Sequence, residues 1–417
     1  MSSESNPILI VGAGITGLIL GQALKQRNVP FTIYERDPHL SSRHQGWAIT
    51  LHWALSYLPS LLPPNVLKRI EEVQVDQNVA KNDTGSFLYL NLKSGDIHWR
   101  IPPNKRWRVN RERLRSALLQ GIEEHVCWGR KVEGVQFDND DEATVQLSTP
   151  FTLIIGAEGP RSQIRQFLCP GNYKNVPLPV RFTGVSVSLT ETEIAPLRRL
   201  DPLLFQGTHP DSGVFFWFSI LDAPDPEPDT NTNVEIAGEE RRGGGERGLY
   251  KVQLGISWPL KNEEIDQVPG ENAERLNNMK RRSEGFVPFL YEAIQRIPEG
   301  TEVIEVTLAD WEGSSENEGK GWDNHSGRVT LAGDAAHAMT MYRGEAANHG
   351  ILDIYHLVPA IEKIHSGQDR KNAITEYEAE MQARGRNAVR LSRRACIEAH
   401  EWEALGVRSA ILAGRKL

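Results

Sequence analysis

Three glycines near the start of the chain have the spacing of a phosphate-binding turn. Gly12, Gly14 and Gly17 follow the apolar run Ile8-Leu9-Ile10-Val11 and precede Leu18, Ile19, Leu20, Ala23 and Leu24 at helical spacing. A short continuous apolar run is how a parallel strand covered on both faces reads. The first glycine suits the tight turn, the second lets a pyrophosphate approach the backbone, and the third allows close helix–strand packing. The helix start, with Thr16 in its first turn, offers amide N–H groups and a positive dipole end to phosphates. Glu35 closes the next strand, Phe31-Thr32-Ile33-Tyr34, and is followed by Arg36. A carboxylate there accepts from both hydroxyls of an unphosphorylated adenosine ribose and repels a 2′-phosphate. This motif alone fits FAD or NAD equally.

A second group lies over 300 residues later. Gly333-Asp334-Ala335-Ala336-His337 follows the apolar strand Val329-Thr330-Leu331-Ala332. An aspartate at the carboxyl end of a core strand points into the ligand crevice of an open α/β sheet. Beyond it, Gly344-Glu345-Ala346-Ala347-Asn348 reads as a loop entering a helix. Such a helix start places N–H donors where they can stabilise negative charge on a flavin ring. A nucleotide contacted from both ends of the chain must be long, which favours FAD. Between these groups, Gly156-Ala157-Glu158-Gly159 ends a further apolar strand, Phe151 to Ile155.

The elements that must hold these groups are partly legible. Pro30 is expected to end the first helix, and Arg111 to Leu119 reads as an amphipathic helix. Val132–Phe137 and Ala143–Leu147 alternate like hairpin strands. Residues 180–307 read as mostly β, and helix formers dominate from Ala346 onward. The stretch from Asp222 to Gly248, rich in Pro, Asp, Thr, Glu, Arg and Gly, reads as a surface loop or a long hairpin tip. His52, Trp53 and Tyr57 read as one face of a helix after Thr50.

These motifs, taken in order, resemble the group A flavoprotein monooxygenases, similar to para-hydroxybenzoate and salicylate hydroxylases. Gly12–Gly17 with Glu35-Arg36 resembles the family's adenosine and pyrophosphate site. Gly156 to Arg165 resembles its middle motif, which is associated with FAD and NAD(P)H, with Glu158 where Asp is usual. Gly333 to His337 resembles its ribityl-binding motif, and Met339–Gly344 is similar to fungal secondary-metabolism members. Arg111 matches an arginine beside the FAD, and Gly46 and Ala48 match the segment lying along the flavin. Met341 stands where Pro is usual, and Ala346 where a second Gly is usual.

The resemblance implies an α/β chain with a Rossmann-like FAD-binding domain (GR2-type), an inserted β-sheet substrate domain and a helical C-terminal segment. The expected division is FAD-binding segments at 1–78, 107–178 and 311–365, substrate-domain segments at 79–106 and 179–310, and C-terminal helices over 366–417. The family's cofactor positions then fall on Gly12, Gly14, Thr16, Gly17, Glu35, Arg36, Gly46, Ala48, Arg111, Glu158, Asp334, Gly344, Ala346, Ala347 and Asn348. Candidate catalytic residues are Arg43, Tyr342 and Arg343, and Trp217 would floor a substrate pocket. FAD would be bound and NADPH or NADH would be a transient co-substrate. The reaction implied is hydroxylation or epoxidation of a hydrophobic aromatic, polyketide or alkaloid metabolite by O2, through a flavin C4a-hydroperoxide. Alternatives from the same residues are a reductase or oxidase without oxygen insertion, a Baeyer–Villiger monooxygenase, and a non-catalytic binding protein.

Composition narrows the field. The net charge is −8, which argues against a partner bound mainly through phosphates, such as nucleic acid. A charged fraction of 24% is ordinary for a folded chain. Cys127, Cys169 and Cys396 form no CxxC pair, so a reducing, cytoplasmic setting without a structural metal is expected. No apolar stretch approaches about 18 residues, so no membrane span is expected. Oligomeric state is open.

Overall fold

The computed structural model describes residues 6–42, 46–138, 142–145, 150–224, 248–313 and 321–415. Its organising element is a five-stranded parallel sheet in the order Val329–Leu331, Leu153–Gly156, Ile8–Val11, Phe31–Glu35 and Val126–Trp128. Register aligns Val11 with Gly156 and with Tyr34, and Gly156 with Leu331. The carboxyl ends of three strands therefore stand side by side, although their residues are separated by up to 320 positions. The apolar runs that predicted these strands are covered on both faces, as a parallel sheet requires.

Helix Ile15–Gln26 leaves the first strand through Gly12 and packs with Ala346–His365 and Arg111–Leu119. It ends at Gln26 because Asn28 adopts a left-handed conformation, φ 54°, two residues before the expected stop at Pro30. Helix Arg111–Leu119 follows the expected limits, and Asn110 caps it by accepting from the Glu112 and Arg113 amides. The hairpin strands are Val135–Asp138 and Glu142–Val145.

A seven-stranded sheet runs Ile304–Glu305, Val180–Thr190, Leu249–Pro259, Phe215–Asp222, Leu204–Thr208, Phe87–Asn91 and Ile97–Ile101. One face carries Val185, Leu254, Ile256, Phe216, Phe218, Phe205 and Leu88 in a second apolar core. That face is covered by helices Glu191–Arg198, Asn272–Arg282 and Pro288–Gln295. Residues 180–307 supply five strands of this sheet, as the mostly-β reading expects, and also the three helices, which it did not foresee. The opposite face holds a cross-strand row of Gly184, Gly255, Trp217, Gln206 and Tyr89. It faces the strand pair Ala48–Leu51 and Trp107–Asn110: the Ala48 amide donates to Gln253 Oε1 at 3.1 Å and Arg108 reaches Ser219 Oγ at 2.6 Å. Most of the loop expected between Asp222 and Gly248 lies outside the described residues.

Candidate cofactor site

The first glycine turn has the geometry its sequence implies. Gly12 has φ 108°, and a Cβ on it would stand 2.7 Å from the Ala157 carbonyl oxygen. A Cβ on Gly17 would fall 2.0 Å from the Gly12 carbonyl oxygen, so only glycine lets the helix sit this close to the strand. Gly14 differs: the nearest atom to its Cβ position is 3.8 Å away, and the residue is partly exposed. Gly14 is also the N-cap of a helix with no side-chain cap and no acid in its first turn. Thr16 packs by its hydroxyl against Gly333 and Gly350, joining the two ends of the chain.

Glu35 is 3% exposed, and its carboxylate accepts from the Ala13 amide at 2.8 Å and from the Asp37 amide at 3.0 Å. These two backbone bonds fix the carboxylate at the turn. Arg36 is exposed beside Asp37 at the lip. Buried Arg115, which the sequence reading missed, donates from Nε to the Ala13 carbonyl at 3.1 Å and braces the turn from below.

Asp334 begins a short helix directly after Gly333. Burial raises its carboxyl above the ordinary carboxylate range, against the attraction of His337, Arg111 and Arg165. Among the described residues nothing donates a hydrogen bond to it. The turn behind it is fixed by Asp353, fully buried, whose Oδ2 accepts from the Gly333 amide at 2.6 Å and lies 2.7 Å from His337 Nε2. Arg384 donates to Asp353 Oδ1 at 2.7 Å and to Glu380. Burial alone would raise the Asp353 carboxyl, but His337 and Arg384 together hold it well below the usual range. His337 is therefore a brace for backbone, with Gly385 making room for its ring.

Arg111 connects these parts. Its side-chain stem lies against Gly46, about 3.5 Å from that residue's Cβ position, while its charge acts on Asp334. Gly344, φ 64°, is exposed and open on its Cβ side, and Ala346 and Ala347 are partly exposed at the start of the 20-residue helix Ala346–His365. That helix start also has no side-chain cap. Asn348 is fully buried. Its side chain accepts from the His52 amide at 2.9 Å and donates to the Thr50 and Gly344 carbonyls, clamping the loop to the strand bearing Ala48. His52 lies behind it, and burial pushes its imidazole down to about 3. His52 and Trp53 belong to a strand end and a 3-10 turn, Trp53–Ser56, in place of the expected helix face. The rings of His52, Trp53 and His349 pack edge to face there.

The middle motif takes a different part. Glu158 Oε1 accepts from the Ile164 amide at 2.9 Å, so it caps helix Gln163–Leu168 together with Ser162. Burial raises its carboxyl, and these backbone donors partly offset that. Arg165, from the same motif, crosses to the Asp334 and Ala335 carbonyls and lies 4.7 Å from the Trp311 ring.

Two of the three catalytic candidates are buried and paired within the chain. Arg343 is 6% exposed, ion-paired with Glu345 at 2.6 Å and bonded to the Ala410 carbonyl, so its guanidinium is spent on fastening the C-terminal segment. Tyr342 is buried with Phe215, donates to Ser257 Oγ at 2.8 Å, and Ser257 in turn meets His400. Both residues hold the loop before Ala346 from behind. Arg43 lies outside the described residues. No group of three metal-ligating side chains occurs among the described residues, and no helix there is long and apolar enough to cross a membrane.

These features fit FAD. Two uncapped helix starts, an open flank at Gly14, a fixed Glu35 carboxylate and a desolvated Asp334 carboxyl without a donor all border the same strand ends. Comparison with known proteins bears on this fit. Residues 301–392 match the family model described as FAD binding domain, and residues 10–69 match NAD(P)-binding Rossmann-like domain. A protein of Arthroderma benhamiae named "Probable FAD-dependent monooxygenase" is 38% identical over 100% of this chain and 97% of its own length. FAD-dependent monooxygenase dbaB of Emericella nidulans is 39% identical, covering 84% of this chain and 86% of its own. This chain belongs to the FAD-dependent monooxygenases. The monooxygenase shares its fold with Klebsiella pneumoniae HpxO, solved with FAD and uric acid, at TM-score 0.69 and 19% identity over 94% of this chain and 89% of that one. The fold also matches 2,6-dihydroxypyridine-3-hydroxylase from Arthrobacter nicotinovorans, at TM-score 0.69 and 15% identity over 99% and 98%. The chain is thus an FAD-dependent oxidoreductase whose relatives include FAD-dependent monooxygenases of several fungi.

Proposed function

We propose that this monooxygenase uses NAD(P)H and O2 to hydroxylate or epoxidise a hydrophobic aromatic, polyketide or alkaloid metabolite. The observation that carries the reading is the alignment of Val11, Gly156 and Leu331 at neighbouring strand ends, which draws both glycine turns to one crevice. The chemistry FAD supplies when bound is two-electron acceptance from NAD(P)H and activation of O2. The chain's residues do the rest. The Gly12–Gly17 turn and the helix start at Ile15 would hold the pyrophosphate, and Glu35 the ribose. Asp334 would accept from a ribityl hydroxyl, which supplies the donor its carboxyl lacks. The amides at Gly344, Ala346 and Ala347 would face the ring's carbonyl edge, where the helix dipole favours negative charge. Arg111 would lie beside the ring, its stem against Gly46. The loop that Tyr342 and Arg343 fasten keeps this helix start in place, and the Trp217 face of the large sheet would enclose the substrate and exclude water.

The sheet packed against the site favours oxygen insertion over a simple reductase. The test is turnover with labelled O2 over a panel of phenolic and polyketide substrates. One labelled oxygen in the product is expected. NAD(P)H consumption that yields only hydrogen peroxide across the panel would refute the reading.

A further inference from the structure

Two buried polar side chains on the site's sheet side lack the partners their chemistry requires. Gln206 is fully buried on strand Leu204–Thr208, between Tyr89 and Trp217 in register, and neither its amide oxygen nor its amide nitrogen has a hydrogen-bond partner. Buried amides are almost always paired, so an orphan at both atoms points to a group that is not part of the chain. Arg108 is 4% exposed, donates to Thr50 Oγ1 at 2.8 Å and to Ser219 Oγ at 2.6 Å, and has an unpaired Nε. Its neighbours show the contrast: Arg106 pairs with Asp83 and Arg113 with Asp222, whereas Arg108 meets no carboxylate among the described residues. Burial lowers its guanidinium to about 9, and the charge of Arg106 adds to that.

A buried guanidinium whose acceptors are two hydroxyls carries an uncompensated charge, which is costly to keep. Its place in the fold fits a substrate contact. Thr50 lies on the strand that begins at Ala48, and the Arg108 guanidinium carbon is 5.7 Å from the Trp217 ring. Arg108 and Gln206 therefore flank one indole from two sides. The row they border is cut low by Gly184 and Gly255, where the Trp47 and Phe182 rings now lie. Aromatic walls and one cation describe a flat, acidic guest.

We propose that Arg108 and Gln206 select the substrate: the guanidinium pairs with an ionised oxygen of a planar acidic aromatic, and the amide of Gln206 hydrogen-bonds a second oxygen on the same molecule. The inference rests on the function proposed above and names residues that read its substrate. Neutral compounds of the same shape are excluded because they leave Arg108 unpaired.

The test uses the FAD-loaded enzyme with 2,4-dihydroxyacetophenone and its dimethyl ether at pH 8, read by perturbation of the visible flavin spectrum. The wild type is expected to bind the dihydroxy compound at least roughly 10-fold more tightly, the scale of a hydrogen bond to a charged group. Arg108→Met is expected to erase that preference, and Arg108→Lys to keep part of it. Gln206→Leu is expected to weaken the dihydroxy compound about 5- to 10-fold. If Arg108→Met does not fold, the other two variants carry the test. A wild type that binds neither compound, or both equally, overturns the proposal, as does an unchanged preference in FAD-loaded variants. A protein that takes up no FAD speaks against the function proposed above. A yellow protein without charge preference speaks against this inference alone.

Discussion

Replacing Gly14 and Gly17 separately by alanine would distinguish a turn built for a ligand from one built only for packing. At Gly17 the new Cβ would stand 2.0 Å from the Gly12 carbonyl oxygen, about 1 Å closer than carbon and oxygen tolerate. The helix must move away from the strand, which costs about 1–3 kcal/mol by the usual scale of overpacking, and the loss falls on the protein with or without FAD. At Gly14 the new methyl meets no atom closer than 3.8 Å, and the backbone has an ordinary negative φ. Its cost to the apoprotein is expected to stay under about 1 kcal/mol, the scale of an N-cap change. If a pyrophosphate lies against this backbone, the same methyl stands in its way, and FAD affinity should fall at least roughly tenfold, about 1.4 kcal/mol. Thermal melts of flavin-stripped protein and FAD titrations by fluorescence quenching separate the two effects. A Gly14→Ala protein that binds FAD as the wild type does would refute the reasoning, as would a Gly17→Ala apoprotein of unchanged stability.

Other consequences follow from the same structure. Asp334→Ala should leave the apoprotein folded by circular dichroism and raise the Kd for FAD at least about tenfold, the scale of a hydrogen bond to a charged group; unchanged flavin content after purification would count against the assignment. Arg415 donates from Nε to the Arg343 carbonyl at 2.9 Å and from Nη2 to the Ile411 carbonyl at 3.1 Å, so Arg415→Ala should cost about 1–3 kcal/mol and speed hydrogen exchange over residues 341–346. His400 is buried and its imidazole is held down to about 4, so the fold binds fewer protons than the unfolded chain between about pH 4 and 6.5. Its share of stability is therefore lost as pH falls below 6.5, by about 2 kcal/mol at pH 5. Glu378, pushed up to about 7 by burial, acts in the opposite direction over part of that range. The check is consequently a difference: His400→Gln should reduce the acid-dependent loss between pH 8 and 5 relative to wild type, and equal losses would contradict it.

What could be read in advance follows the range of the interactions. The glycine turns, their strands and Asp334 are local patterns with a fixed spacing, so the sequence carries them. Two missed helices also had local signals. Thr190 and Glu193 form a capping box before Glu191–Arg198, and Pro288 stands in the first turn of helix Pro288–Gln295. Alternating apolar residues nearby hid both. Arg108, Gln206, Arg115 and Asp353 had no such signal. Each is defined by what a distant segment does or fails to do: Ser219 lies 111 residues from Arg108, and Gly333 lies 20 from Asp353. The same limit explains Tyr342 and Arg343. Their position beside the loop was legible, but the burial that turns them into fasteners comes from Ser257 and Ala410.

The carboxyl ends of distant strands are proposed to form one FAD crevice. A titration of flavin-stripped protein with FAD, followed by a crystal structure of the product, tests it most directly. One FAD per chain is expected, with its pyrophosphate on the Gly14 amide side and its ribityl chain at Asp334. Failure to bind FAD, or FAD bound away from these strand ends, would contradict it.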